Sequence, residues 1–298
     1  MQSKKQKVLV IGATGTQQKP TVEHLLKNGH EAYLFTRNLN NKTVDTLLEK
    51  GAKAHVGNLA DKESLELAMK EKDALAFIVP AFLENPDYAK SYACSVFEIA
   101  KKSNVKLVVW NLSGELQMES EGDYRHAVIR HLKELGLAYI LFEPTTYMEN
   151  WLGPWTADYI RKKNLVAYPQ LAAKKIGWIA CDDMGKLIAK SIDHPELAGS
   201  HLKVSGVEAP NGEELAKIFT DTLNRPLKYY AMPPDEMKLV LEKTYGVGAG
   251  ASVVEMYRRE QADPNQPGKF HNMVDILNKI PVKMNTIYEW ILKHHSSF

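Results

Sequence analysis

The chain has 298 residues, 44% hydrophobic and 25% charged, with a formal net charge of +2. That is the composition of a globular protein long enough to bury its own core, and the charge is too mild for a nucleic-acid surface. Two cysteines far apart, Cys94 and Cys181, exclude a disulfide framework and a cysteine metal cluster.

The first half alternates strands and helices. Val8 to Ile11 is a β-branched run ending at glycine, read as a buried parallel strand. Helical spacing follows over Pro20 to Lys27, and Gly29 stops it. Strands are predicted at Glu31 to Thr36, Lys53 to Val56, Ala74 to Val79, Lys106 to Trp110 and Tyr139 to Phe142. Between them lie helices over Thr43 to Lys50, after the cap Asp61, over Tyr88 to Lys101 and over Tyr124 to Leu135. Past residue 150 the alternation weakens. Asp182-Asp183 is read as the cap of a helix to about Ile192, and His201 to Val204 as a strand. Helices are predicted over Gly212 to Leu223, Pro234 to Thr244 and Thr286 to His294. Gly246 to Gly250 and Asp263 to Gly268 read as breaks.

This pattern predicts an α/β fold: a Rossmann-type doubly wound parallel sheet with a smaller mixed α/β C-terminal lobe. Residues 1–150 form the dinucleotide-binding domain. Residues 151–298 form the substrate or partner lobe, with part of 176–206 returning to the first sheet. Ligands of such sheets bind beyond the carboxyl ends of the strands. The expected site residues are therefore Gly12 to Gln17, Arg37, Asn38, Asn58, Leu59, Val79 to Phe82, Asn111 to Ser113 and Glu143 to Tyr147.

The strongest local signal is Gly12-Ala13-Thr14-Gly15-Thr16-Gln17 between the first strand and the first helix. A phosphate at a helix N-terminus needs free backbone N–H groups and close approach, which Gly12 and Gly15 allow. The third glycine of the usual fingerprint is replaced by Gln18, which is expected to hold the helix slightly off the strand. After the second strand the chain reads Thr36-Arg37-Asn38, without the acid that would grip the 2′-hydroxyl of NAD. An arginine there suits a 2′-phosphate, so NADP(H) is preferred over NAD(H).

Taken together these stretches resemble the NmrA-like family, an atypical branch of the short-chain dehydrogenases. The resemblance rests on the Gly12 loop with Gln17 and on Gly57-Asn58-Leu59 with Asp61 and Ser64-Leu65. It rests also on Pro144-Thr145-Thr146-Tyr147-Met148-Glu149-Asn150, Val204-Ser205-Gly206 and Arg225-Pro226. Asn58 stands where the family usually has Asp, and Glu143 where Arg is common. Within the family the chain looks most similar to NADPH-sensing proteins, through Thr36-Arg37-Asn38, Trp110 to Gly114 and Tyr288-Glu289-Trp290. The resemblance implies a cofactor site that adds Pro80, Pro144, Thr145, Tyr147 and Asn150 to the glycine-rich loop.

Reductases of the wider superfamily pair a tyrosine acid with a lysine four residues on. Here the matching tyrosine is Tyr124, and Val128 stands in the lysine's place. Many NmrA-like enzymes keep a lone lysine in this helix, at the position of Arg125, which implies that Arg125 holds ribose hydroxyls. Acid work then falls to Tyr124 or His126. Ser113, after the fifth strand, matches a substrate-binding serine, with an ordinary loop serine as the alternative. The literal Tyr159-x-x-x-Lys163 lies beyond the sixth strand and reads as a surface coincidence.

Trp110, Tyr147, Trp151, Trp155 and Phe82 could wall an apolar substrate pocket, though core packing at helical spacing is the stronger reading. His126, His131 and His294-His295 lack metal-site spacing, so no metal is expected. The short basic runs, such as Arg161-Lys162-Lys163 and Lys174-Lys175, read as solvated faces, so no nucleic-acid partner is expected. No run approaches the roughly 18 apolar residues of a membrane span. Met1 to Lys7 lacks the apolar stretch of a secretory leader, which points to the cytoplasm.

The reading that results is an NADP(H)-binding, redox-sensing or regulatory protein with weak or specialised reductase activity and, as a sensor, a protein partner. The alternative is an NADPH-dependent oxidoreductase of a small apolar carbonyl or quinone, using Tyr124.

Overall fold

Val8, Leu9 and Val10 are wholly buried at the centre of a seven-stranded, all-parallel sheet. The structure, a computed structural model, describes residues 5–79 and 86–298, with the backbone alone at 86 and 87. The chain divides into two compact units.

Unit 1 comprises residues through Pro144, Cys181–Val204 and Val274–Lys283. It opens with β1 (Lys7–Ile11), α1 (Lys19–Lys27), β2 (Glu31–Thr36), α2 (Lys42–Glu49), β3 (Lys53–Val56) and α3 (Lys62–Met69). It continues with β4 (Ala74–Phe77), α4 (Pro86–Lys102), β5 (Leu107–Asn111), α5 (Arg125–Glu134) and β6 (Tyr139–Pro144). Unit 2 begins at Thr145 and holds α6 (Pro154–Lys163) and β7 (Leu165–Tyr168). The chain then gives α7 (Cys181–Ser191) and β8 (Ser200–Val204) to unit 1. Unit 2 resumes with α8 (Gly212–Leu223), β9 (Lys228–Ala231), α9 (Pro234–Tyr245) and α10 (Ala251–Ala262). Last come α11 (Val274–Lys279) of unit 1 and α12 (Ile287–Lys293) of unit 2.

The main sheet runs β3-β2-β1-β4-β5-β6-β8. Strand order reverses between β1 and β4, with Val8 opposite Ala74 and Val10 opposite Ala76. That switch point is where such sheets receive ligands, because the loops leaving β1 and β4 diverge there. β8 extends the sheet beyond β6, pairing Leu141 with His201 and Pro144 with Val204. Sequence alone put the boundary at residue 150. The leading segment of unit 1 instead ends with its strand at Pro144, and 274–283 returns as well.

The local physics is simple. α1 carries a proline in its first turn, and α2 and α3 are capped by the side chains of Asn41 and Asp61. α8 and α12 have capping boxes built on Asn211 with Glu214 and on Thr286 with Glu289. In unit 1, α7 lies against α1 at Gly185, where an added Cβ would sit 2.7 Å from the Pro20 carbonyl carbon. Beside that contact, Asp182 meets His24 at 2.8 Å and Lys186 at 2.9 Å. Both carboxylates lie in the first turn of α7, which begins at Cys181: Asp182 ties the helix to α1, and Asp183 pairs with Lys186 of α7 itself.

Unit 2 is built on an aromatic core. Trp151 packs on Trp178, Phe219 and Trp290, with ring centroids 4.4, 5.0 and 5.5 Å away. Tyr147, Trp151 and Trp155 do not share one helix: a 3-10 turn spans Met148–Leu152, and α6 starts afresh at Pro154. All three are buried in packing, in agreement with the core reading. The parallel pair β7-β9 and the helices α10 and α11 have no counterpart in the sequence reading. The two strands are four residues each and lie some sixty residues apart, so neither carries a pattern long enough to read.

No helix among the described residues is long and apolar enough to cross a membrane. Among the same residues, no group of three or more His, Cys, Asp or Glu could hold a metal ion.

Candidate functional site

The site is built on unit 1, at the carboxyl edge of its sheet. The chain leaves β1 through Gly12, whose φ is +82°. A Cβ there would stand 2.6 Å from Ile78 Cγ2, so the position demands glycine for conformation and for space. Gly15 N–H donates to the Gly12 carbonyl at 2.9 Å, which closes the turn. The N–H groups of Thr14, Thr16 and Gln17 donate to nothing among the described residues. α1 begins without a side-chain cap and without an acid in its first turn. Open N–H donors at a helix start, with the positive end of the helix behind them, form a cradle for a phosphate. A pyrophosphate-bearing nucleotide fits this donor set.

Gln18, at the position of the missing third glycine, is wholly buried beside Gly12. Neither of its amide atoms has a hydrogen-bond partner among the described residues. Gln17 is half-buried and points to β5. Its Nε2 donates to Ser113 Oγ at 2.8 Å, and its Oε1 accepts from Asn111 Nδ2 at 3.3 Å. Asn111 Oδ1 in turn accepts the Ser113 N–H at 2.9 Å. Ser113 adopts φ +64°, a left-handed conformation costly for a residue with a Cβ, and this network holds it there.

Arg37 and Asn58 follow the paired strands β2 and β3, where Gly57 N–H donates to the Thr36 carbonyl at 2.9 Å. Arg37 is exposed and forms no hydrogen bond or ion pair among the described residues. Asn38 folds its side chain onto the Asn40 N–H at 2.8 Å, and Asn58 does the same with Ala60 at 3.1 Å. Gly57 is required by crowding: a Cβ would lie 2.5 Å from the Phe35 ring and 2.6 Å from Ser64 Oγ. Leu59 and Val79 are half-buried against the core of unit 1. Pro80 and Phe82 lie outside the described residues.

The loop after β5 is tied down by a set of contacts that the sequence did not reveal. Arg125 donates from Nη1 to the carbonyls of Leu112 and Gly114, at 2.8 and 2.9 Å. Its Nη2 donates to the Glu115 carbonyl at 2.8 Å and to Asp123 Oδ2 at 2.6 Å, and its Nε to Asp123 Oδ1 at 2.9 Å. A guanidinium has five N–H donors, and all five are engaged. The structure thus commits Arg125 to stapling this loop, leaving no donor for a ribose hydroxyl. Burial alone would raise the Asp123 pKa, but the hydrogen bonds and charge of Arg125 outweigh it and hold the carboxyl below its usual range. His126 Nε2 meets the Gln117 carbonyl at 2.8 Å.

Glu143, at the end of β6, is buried and accepts the Leu116 N–H at 3.2 Å. It pairs with His201 at 2.6 Å. Burial opposes its ionisation, yet the His201 and Leu116 hydrogen bonds and the charge of Lys203 keep its pKa below the usual value.

Tyr124 precedes α5 and packs partly on the core of unit 1. Its hydroxyl donates to nothing among the described residues, and burial pushes its pKa up, against a smaller opposing effect of Arg125. Val128 is wholly buried on the core face of α5, with no room for a lysine's charge. In the literal Tyr159-x-x-x-Lys163 pair, Tyr159 donates to Glu236, and burial with that bond raises its pKa to about 12. Lys163 instead lies over the Tyr159 ring, 4.0 Å from its centroid. Trp110 is buried among Phe77 and Phe97 in the core of unit 1.

Pro144 closes β6 in unit 1. The remaining expected residues belong to unit 2. There Thr145 donates to the Gly177 carbonyl, Tyr147 bridges to Ile179, and Asn150 Nδ2 donates to Tyr168 OH at 2.9 Å.

Among known proteins, the chain is 24% identical over 253 residues to the NAD(P)H azoreductase of Xenophilus azovorans, a match covering 83% of this chain and 84% of that one. Its fold matches Citrobacter sp. triphenylmethane reductase complexed with NADP(H), with a TM-score of 0.78 at 15% identity, over 97% of this chain and 99% of the other. It also matches an Escherichia coli NADPH-dependent quinone oxidoreductase in complex with NADPH, with a TM-score of 0.77 at 18% identity, over 97% and 99% of the two chains. The model of the NmrA-like family matches residues 4–293, and the chain belongs to that family.

Proposed function

We propose that the protein binds NADP(H) on the Gly12–Gln17 loop and passes hydride to a small conjugated acceptor of the quinone or azo class. The observation that carries the nucleotide reading is the uncapped start of α1 behind two glycines, with open N–H groups at Thr14, Thr16 and Gln17. Ala13 is buried within this loop, while Thr14 is half-buried and Thr16 exposed. Arg37 supplies the charge for a 2′-phosphate, with Asn38, Asn58 and Leu59 around the ribose and base. Val79, just past β4, and Pro144, at the end of β6, lie at the carboxyl edge of the same sheet.

When bound, the reduced nucleotide supplies hydride. The chain's own part is to orient and to hydrogen-bond. With Val128 in the core, no lysine stands beside Tyr124, and burial outweighs the lowering effect of Arg125, so Tyr124 stays protonated and acts as a hydrogen-bond donor. A quinone or azo acceptor suits such a site, because conjugation spreads the negative charge that hydride delivers and little acid catalysis is needed. The activities for which the azoreductase, triphenylmethane reductase and quinone oxidoreductase are named support the same class.

A second reading, a redox sensor that responds to the NADPH/NADP⁺ ratio through a protein partner, is favoured by one observation: among the described residues, the Tyr124 hydroxyl has no hydrogen-bond partner to relay a proton. Titration with NADPH, NADP⁺, NADH and NAD⁺, followed by NADPH consumption against quinones and azo dyes, separates the two. Binding with turnover supports the reductase. Binding with consumption at background supports the sensor. Failure to bind any of the four nucleotides overturns both.

A further inference from the structure

The ladder from Asn111 through Gln17 to Ser113 has a fixed polarity. A backbone N–H can only donate, so the Asn111 amide must turn its oxygen to the Ser113 N–H. Its nitrogen then faces Gln17 Oε1, which turns Gln17 Nε2 toward Ser113 Oγ. The serine oxygen must therefore accept. Its own proton is left over, and it donates to nothing among the described residues. Asn111 is wholly buried, so the ladder cannot reverse through exchange with solvent at its root.

We propose that Gln17 is a positioning residue that makes Ser113 an outward hydrogen-bond donor and ties that donor to the nucleotide loop. This rests on the nucleotide reading given above. Gln17 follows directly on Thr16, within the segment whose N–H groups form the phosphate cradle, and its side chain reaches 96 residues along the chain to Ser113. Seating of a phosphate on that segment orders Gln17, and through it the serine hydroxyl. The ligand that Ser113 recognises presents a lone pair: a quinone or carbonyl oxygen, or an azo nitrogen. Leu116, held independently by Glu143, belongs to the same loop but not to the ladder.

The test is amide hydrogen exchange resolved at single residues, in wild type, Gln17→Leu and Gln17→Glu, with and without NADP⁺. The affinity for 1,4-naphthoquinone is measured in the presence of NADP⁺, where no turnover occurs. Without nucleotide, Gln17→Leu speeds exchange at Ser113 about fivefold to tenfold, because the Asn111 amide that accepts the Ser113 N–H loses its anchor on Gln17, and leaves Leu116 unchanged. Gln17→Glu keeps Ser113 protected, because a carboxylate still accepts from Asn111. It also accepts the serine proton, turns the lone pairs outward, and weakens 1,4-naphthoquinone about tenfold. NADP⁺ slows exchange at Ser113 in wild type and not in Gln17→Leu. Equal Ser113 exchange in wild type and Gln17→Leu overturns the ladder, and equal quinone affinity in wild type and Gln17→Glu overturns the donor assignment. If NADP⁺ leaves residues 12–16 of wild type unprotected, the nucleotide reading and the tie to it fail, while the nucleotide-free comparison at Ser113 still decides the positioning role.

Discussion

Arg125 and Asp123 form a two-point ion pair, with Nε on Oδ1 at 2.9 Å and Nη2 on Oδ2 at 2.6 Å, and the remaining guanidinium hydrogens cap three carbonyls of the loop after β5. Both side chains are shielded, at 15% and 5% exposure, so removing one partner strands a buried charge. Arg125→Ala is expected to cost about 3 kcal/mol or more in chemical denaturation. Arg125→Lys recovers only part of this, because an ammonium lacks the planar fork. A ribose-binding arginine would give the opposite pattern: weaker NADPH binding with stability intact.

Arg37 is the cheapest residue to test for cofactor choice, since nothing in the described structure depends on it. Arg37→Ala should weaken NADPH about tenfold to a hundredfold, the range for a charged hydrogen-bonding contact. NADH binding should stay within about twofold. Equal losses for the two nucleotides in fluorescence titrations remove the 2′-phosphate assignment.

Gly12→Ala combines an unfavourable φ of +82° with a 2.6 Å collision with Ile78. The loop must shift to relieve both, so nucleotide binding should be lost in titration, with a stability cost of about 1–3 kcal/mol. Gly29→Ala, at a similar φ but with open space around it, serves as the control that keeps binding.

Tyr124→Phe and Tyr159→Phe separate the two tyrosines. If Tyr124 only donates a hydrogen bond, its loss lowers kcat with a quinone by less than about a hundredfold, short of what a true general acid supplies. Tyr159→Phe should leave kcat unchanged and instead lower stability by about 1 kcal/mol, through the lost bond to Glu236.

His30 gives the acid side of the stability profile. It is buried, accepts the Gln6 N–H on Nδ1 at 3.3 Å, and lies 3.3 Å from Asp193. Burial, the largest effect, and Lys190 lower its pKa below 6.5, against the raising effect of Asp193. The fold therefore favours the neutral ring. Its contribution is complete above pH 6.5, the ordinary histidine value, and is lost as pH falls through the lowered one. Denaturation at pH 8 and at pH 5 should show a larger loss for wild type than for His30→Asn, whose amide oxygen can accept from Gln6 without titrating. Identical losses would remove His30 as the cause.

The middle of the sheet was legible because β1 and β4 are short apolar runs, buried along nearly their whole length. Helix ends at Asp61 and Asn211 announce themselves through residues that bond their own backbone. The glycine-rich loop was legible for the same local reason: Gly12 is required by a backbone angle that its neighbours impose. What sequence could not assign was how side chains divide their hydrogen bonds. Arg125 looked like a ribose ligand by position, and became a staple because Leu112, Gly114 and Glu115 turn their carbonyls toward it. Gln17 and Ser113 are 96 residues apart and carry no joint signature, yet the β1–β4–β5 order brings their loops together. β7 and β9 likewise exist as a pair only once the chain between them has folded. Periodicity and capping are local, so the sequence determined the elements and the turn that receives phosphate. Saturation of donors and acceptors is a property of the packed whole, so only the tertiary structure decided which polar groups are spent and which are left for a ligand.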